Sequence, residues 1–116
     1  MKLLFHILRR NKRLNIDNTT IGAAGIIKKL EEEYKEVVQA ILNYSEDKTL
    51  RNLKEIIRET FDLIQMCILI LWRCNRIAIE LDEPNLIQDI NIEHKDKLIS
   101  ERGWELVTGI EIDIKE

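Results

Sequence analysis

Hydrophobic positions recur every three or four residues over two long stretches of the chain, and that period predicts two helices. In the first, about Thr20 to Tyr44, the apolar stripe is Ile26, Ile27, Leu30, Tyr34, Val37, Val38 and Ile41. In the second, about Thr49 to Ile77, Leu50, Leu53, Ile57, Phe61, Ile64, Ile68 and Leu71 share one face. The polar stretch Asn43 to Lys48 is short enough to make the two helices antiparallel neighbours, and Asn18, Thr19 or Thr20 can cap the first of them. Ala78 to Asn85 holds the only proline and reads as a connection. A third helix, about Leu86 to Arg102, stops at Gly103, a residue type suited to the position after a helix end. Two weaker patterns flank these. Residues 1–14 predict a short amphipathic helix ending in Arg9, Arg10, Lys12 and Arg13, whose charges read as a solvated helix end rather than a phosphate grip. Ile110 to Ile114 alternates apolar and acidic, which predicts a short edge strand or a dimer arm. The expected class is all-α, an antiparallel helical bundle forming a single domain over residues 1–116.

Composition narrows this picture. The chain of 116 residues is 45% hydrophobic and 34% charged, with one Pro and four Gly. That is the balance of a globular domain with few helix breakers. A net charge of -3 argues against duplex nucleic acid as the main partner. The second helix becomes apolar all round in its second half, where Met66 and Ile70 continue the acidic line of Glu55, Glu59 and Asp62. Such a wall needs covering by a further helix or a second subunit, so a homodimer or homotetramer is expected. Cys67 and Cys74 are separated by about 10 Å of helical rise, beyond disulfide reach. They are expected to be buried free thiols in a reducing compartment. Leu63 to Trp72 is half the length of a membrane span, and Leu3 to Leu8 is too short for a signal peptide and runs straight into Arg9-Arg10. A cytoplasmic protein without a membrane partner is the expectation.

The candidate chemistry is acidic. Glu32-Glu33-Tyr34-Lys35-Glu36 gives EExxE, and Glu59-Thr60-Phe61-Asp62 gives ExxD, with 22 residues between them. Residues three apart share a helix face, so Glu33 with Glu36, and Glu59 with Asp62, each form a row of two like charges. Such rows repel unless a cation lies among them. Carboxylates without His or Cys favour Mg²⁺, with Mn²⁺ possible, over zinc. Measured from the loop, the two rows differ in depth by only about 3 Å, so four carboxylates can meet at one level. Ordinary surface pairs, Lys28–Glu32, Lys29–Glu33 and Glu31–Lys35, account for EExxE alone. They do not account for two acidic motifs at matched depth, both bordering apolar stripes.

EExxE followed by ExxD at this spacing resembles the all-α NTP pyrophosphatase superfamily, which includes MazG-like enzymes and dimeric dUTPases, over roughly residues 20–75. The resemblance implies Mg²⁺-dependent hydrolysis of a nucleoside triphosphate to monophosphate and pyrophosphate. It implies Glu33, Glu36, Glu59 and Asp62 as metal ligands, with Glu32 as a catalytic acid that binds a further metal or orients the attacking water. A purely acidic site repels a triphosphate, so basic groups must complete it. Lys97 and Arg102 are the first candidates for phosphate binding, and Arg58, Arg73 and Arg76 are alternatives. His94 reads as a surface residue, Trp72 and Trp104 as packing residues rather than base-stacking ones, and Gly22-Ala23-Ala24-Gly25 as a site of tight packing. Two other functions remain open. One is a hydrolase of the same fold acting on another phosphoryl substrate, dUTP or phosphoribosyl-ATP in type. The other is a non-enzymatic helical module whose acidic stripe binds a basic partner.

Overall fold

A computed structural model describes residues 1–114. It is mostly helical and divides into two compact units, Met1–Ile77 and the residues from Ala78 onward. In the first unit, α1 (Ala23–Glu46) and α2 (Leu50–Glu80) are joined by only Asp47, Lys48 and Thr49. α1 therefore runs further into the predicted loop than the polar residues imply. The side chains there extend the helix locally, as Gln39 Nε2 donates to Asn43 Oδ1 at 2.8 Å. The start of α2 is capped by Thr49, whose hydroxyl accepts the Asn52 backbone N–H at 3.2 Å. Asn52 closes the loop by donating its side-chain amide to the Asp47 carbonyl at 2.8 Å.

α1 begins differently from expectation. Its N-cap is Gly22, in extended conformation, and no side chain caps the helix. Thr19 is engaged one turn earlier, where its backbone N–H and hydroxyl donate to Asp17 Oδ1 at 2.9 and 2.6 Å. The turn delivers Ile21 onto Gly25, where a Cβ would lie 2.7 Å from Ile21 Cγ1. Tight packing is thus the role of this glycine.

Exposure reveals which helix faces are used. On α1, Glu33 and Ala40 are buried and Ile26, Leu30, Val37 and Tyr44 half-buried, one line at spacings of three and four. Ile27, Tyr34, Val38 and Ile41, from the same predicted stripe, are exposed. On α2 the acidic line, not the apolar one, is the inner face. Glu55, Glu59, Leu63 and Met66 are half-buried and Leu69 is buried. By contrast Leu50, Leu53, Ile57, Phe61 and Leu71 are exposed. The acidic row is faced by α1, and the predicted apolar face is open at Leu50, Leu53, Ile57, Phe61 and Leu71 but half-buried at Ile64 and Ile68. Cys67 and Cys74 are exposed rather than buried, both as free thiols, because they lie off the inner line of α2.

The N-terminal segment is not a helix. Two-residue strands β1 (Arg10–Asn11) and β2 (Ile16–Asp17) pair antiparallel, Arg10 opposite Asp17. Asn15 takes a left-handed conformation at the turn, with φ 53°, which Asn tolerates better than most residues. Asn11 Oδ1 accepts the Leu14 N–H at 3.1 Å, and Asn18 donates to the Leu8 carbonyl at 2.9 Å. These local bonds offer the backbone an alternative to helix. Ahead of the hairpin, Phe5 meets Phe61 edge-on, ring centroids 5.4 Å apart.

In the second unit, which includes the last turn of α2, the chain turns at Asp82 with φ 62°. α3 (Leu86–Asp96) follows and continues into a π-helical turn, Lys97–Glu101. Gly103, at φ 70°, ends it, and the Trp104 N–H returns to the Leu98 carbonyl at 3.0 Å. A left-handed glycine at a helix end agrees with the sequence expectation. Residues 104–114 are in neither helix nor strand, so the alternation Ile110 to Ile114 forms no strand. With no neighbouring strand to bond, period-two patterning does not order a backbone. Among the described residues, no helix is long and apolar enough to cross a membrane.

Candidate metal centre

Four carboxylates converge from two helices. Glu33 and Glu36 of α1 and Glu59 and Asp62 of α2 each present an oxygen within 4.8 Å of all the others. The short connection makes this meeting possible, since the two i,i+3 rows lie at similar distances on either side of it. Glu33 is the deepest of the set, only 5% exposed. It sits on the same helical line as Leu30, Val37 and Ala40, so the sequence period that buries those residues also buries a charge.

The carboxylates are incompletely satisfied. Lys29 Nζ lies 3.0 Å from Glu33 Oε1, and this hydrogen bond is the main cause raising the Lys29 pKa above its ordinary value. The other oxygen, Glu33 Oε2, is buried without a hydrogen-bond partner, as is Glu59 Oε2. A buried carboxylate oxygen left unpaired costs on the order of 1–3 kcal/mol or more. The Glu59 pKa is pushed up to about 7, chiefly by sharing a hydrogen bond with Glu36. Desolvation, the charge of Glu36, a hydrogen bond with Glu55 and the charge of Asp62 contribute further. Without a cation the cluster therefore relieves its repulsion by holding a proton.

An all-carboxylate set with orphaned oxygens fits a hard divalent cation. It offers oxygen ligands only, from exposed Glu36 and Asp62 as well as buried Glu33. Beside it, Glu36, Gln39, Ala40, Asn43, Glu55 and Glu59 line an open cavity of about 200 Å³. Glu55 was not singled out by the acidic motifs, yet it lines the same cavity as Glu59 and ion-pairs with Arg58 at 3.0 Å. Its signal in the sequence is its place four residues before Glu59, on the same face.

The other sequence candidates are distributed differently. Glu32 is not among the four converging carboxylates, and its half-exposed side chain lies 3.9 Å from Lys29. Of the three surface pairs expected on α1, only Lys29–Glu33 forms. Arg73 donates to the Ile21 carbonyl, and Arg76 lies over the Trp72 ring, 4.9 Å from its centroid. Lys97 and Arg102 belong to the second unit, where Lys97 pairs with Glu93 at 3.3 Å and Arg102 is exposed. Compared with protein-family models, curated proteins and solved structures, this chain matches none of them.

Proposed function

We propose that the protein is a Mg²⁺-dependent nucleoside triphosphate pyrophosphohydrolase, converting a (d)NTP and water to a (d)NMP and pyrophosphate. The observation that carries this reading is Glu33, a buried carboxylate with an orphaned oxygen inside a four-carboxylate cluster. The resemblance of EExxE and ExxD to the all-α NTP pyrophosphatases supplies the reaction class. Glu33, Glu36, Glu59 and Asp62 hold the cation in this reading, with Mn²⁺ an alternative to Mg²⁺. The ion supplies charge neutralisation for the phosphates and positioning for the attacking water. Lys29 holds one oxygen of Glu33 and the other is buried without a hydrogen-bond partner. The raised Glu59 pKa reflects the crowding of its neighbouring carboxylates, and a cation competing for the same oxygens favours the ionised form. Glu32, outside the four, is available to orient water.

The exposed apolar positions favour a homo-oligomer as the working form. Leu53, Ile57 and Phe61 of α2 and Tyr34, Val38 and Ile41 of α1 are exposed, while Ala40 and Leu69 are the buried hydrophobic residues described within Met1–Ile77. So small a core does not balance the entropy of ordering such a unit. A second copy presents the same apolar rows and completes a four-helix core by two-fold symmetry.

The test is hydrolysis of a panel of NTPs and dNTPs with Mg²⁺, reading monophosphate and pyrophosphate. Asp62→Asn is expected to reduce turnover by about a hundredfold or more. Undiminished turnover in that variant, or none in the wild type at any divalent cation, sinks the reading.

A further inference from the structure

We infer that α2 pairs with α2 of a second copy, the two helices antiparallel along the row Ile57, Thr60, Ile64, Cys67, Leu71 and Cys74. This rests on the homo-oligomer reading, is independent of the metal centre, and adds the surface, the alignment and the side chains that face one another.

Along α2, Leu50, Leu53, Ile57, Thr60, Ile64, Cys67, Leu71 and Cys74 follow one another at steps of three and four in strict alternation. That is the 3.5-residue repeat of a helix that packs lengthwise on another helix. Between Ile56 and Asn75, neither this row nor the two positions flanking it in each repeat carry a charge. Arg58, Glu59, Asp62 and Arg73 all fall elsewhere on the helix. α1 leaves the row open: Leu53 is 40%, Ile57 44% and Leu71 51% exposed. Cys67 and Cys74 are exposed as well, with Thr60 and Ile64 half-buried between them. The N-terminal segment does not cover the row either. Phe61 and Gln65, which hold that segment, lie on the other side of the inner line of α2.

Side-chain size sets the direction of pairing. Large Ile57, Ile64 and Leu71 alternate with small Thr60, Cys67 and Cys74. Two such helices laid parallel set large against large and small against small, so crowded layers alternate with hollow ones. Laid antiparallel, each large side chain faces a small one. A two-fold axis between Ile64 and Cys67 places Ile57 opposite Cys74, Thr60 opposite Leu71 and Ile64 opposite Cys67 of the second copy, and every layer is then filled alike. The exposed row of α1, Ile27, Tyr34, Val38 and Ile41, widens the surface. Counted along the chain, α1 turns about 90° from its inner line to this row, and α2 about 140° from its own inner line to the heptad row. Antiparallel helices wind in opposite senses when viewed from one end, so both turns lead to the same side of the pair. Together the rows cover roughly 36 by 10 Å on α2 and 21 by 10 Å on α1. Over two copies that is about 1,100 Å², above the roughly 1,000 Å² of a specific interface.

The experiment uses the full chain and its Ile57→Cys variant. Sedimentation of the unmodified chain reports association, and mild oxidation of the variant followed by peptide mass mapping reports alignment. The expected result is a dimer whose disulfide joins position 57 of one copy to Cys74 of the other. Within one chain these positions lie about 25 Å apart along α2, beyond disulfide reach, so this link can only join two copies. In the unmodified chain, Cys67 and Cys74 are expected to react with Ellman's reagent about tenfold or more slowly as a dimer than as dilute monomer. Circular dichroism confirms that the variant keeps its helices. A dimer with no link from position 57, or with a link to position 57 or Cys67 of the other copy, overturns the inference while leaving the homo-oligomer intact. So do thiols that react at one rate in monomer and dimer. A chain that sediments as a monomer at every concentration instead removes the homo-oligomer and this inference with it.

Discussion

The two faces of α2 invert the usual order of a globular protein. The inner face, turned to α1, carries Glu55 and Glu59, while the other face exposes Leu50, Leu53, Ile57 and Phe61. Apolar surface left in water forgoes roughly 25 cal/mol per Å², and a desolvated carboxylate cluster adds repulsion. Neither arrangement is favourable for an isolated chain. Both become favourable if the inner face takes a cation and the outer face takes a second copy. The difference teaches that exposure in one chain marks what is missing from it, and that each face names its partner by its chemistry.

This comparison can be broken in several ways, the largest effect coming from the outer face. Leu53→Asp combined with Ile57→Asp is expected to abolish self-association in sedimentation analysis and to lower the melting temperature by about 4–8 °C or more. An unchanged sedimentation coefficient with a lower melting temperature would assign the two side chains to the fold of one chain. Glu33→Leu sharpens the contrast from the inner side. Removing a buried carboxylate with an orphaned oxygen should raise metal-free stability by about 1–3 kcal/mol in urea titrations. The same change should erase stabilisation by Mg²⁺. A less stable variant that still responds to Mg²⁺ would mean that Lys29 alone satisfies Glu33.

A smaller effect concerns pH. The Glu59 pKa stands at about 7 in the fold against an ordinary value of 4.5, so between these values the folded chain holds a proton that the unfolded chain has lost. Metal-free stability should therefore fall as pH rises from about 4.5 to 7. The groups facing Glu59 are Glu36, Glu55 and Asp62, all carboxylates, and each raises the Glu59 pKa. Saturating Mg²⁺ should flatten or reverse the slope, since the cation prefers the ionised cluster. Thermal melts across that range check both, and Glu59→Gln should remove most of the metal-free slope.

Much of this was legible in the chain. The three-and-four periods of α1 and α2 placed both long helices, because each helix must turn one line of residues inward. The acidic quartet was legible for the same reason, as two i,i+3 rows on either side of a short loop can meet at one level. The hairpin at Arg10–Asp17 was not, because its two-residue strands are too short to show a period and the apolar residues ahead of it suit helix and strand alike. The contact of Phe5 with Phe61 and the local bonds of Asn11 and Asn18 decide between them. The alternation at Ile110 to Ile114 misled in the opposite direction, for a strand pattern has no force without a strand to pair with.

By itself, then, the sequence determined the local and the periodic: which stretches are helical, that Gly103 ends the third, and which carboxylates share a face. These follow from backbone sterics and from residues a few positions apart. Tertiary structure alone decided which face of α2 turns inward, that Glu33 is buried with one oxygen unpaired, and that the N-terminal segment is held against Phe61 and Gln65. Those outcomes depend on contacts between residues far apart in the chain, where a stripe of hydrophobic residues says that something must cover it but not what.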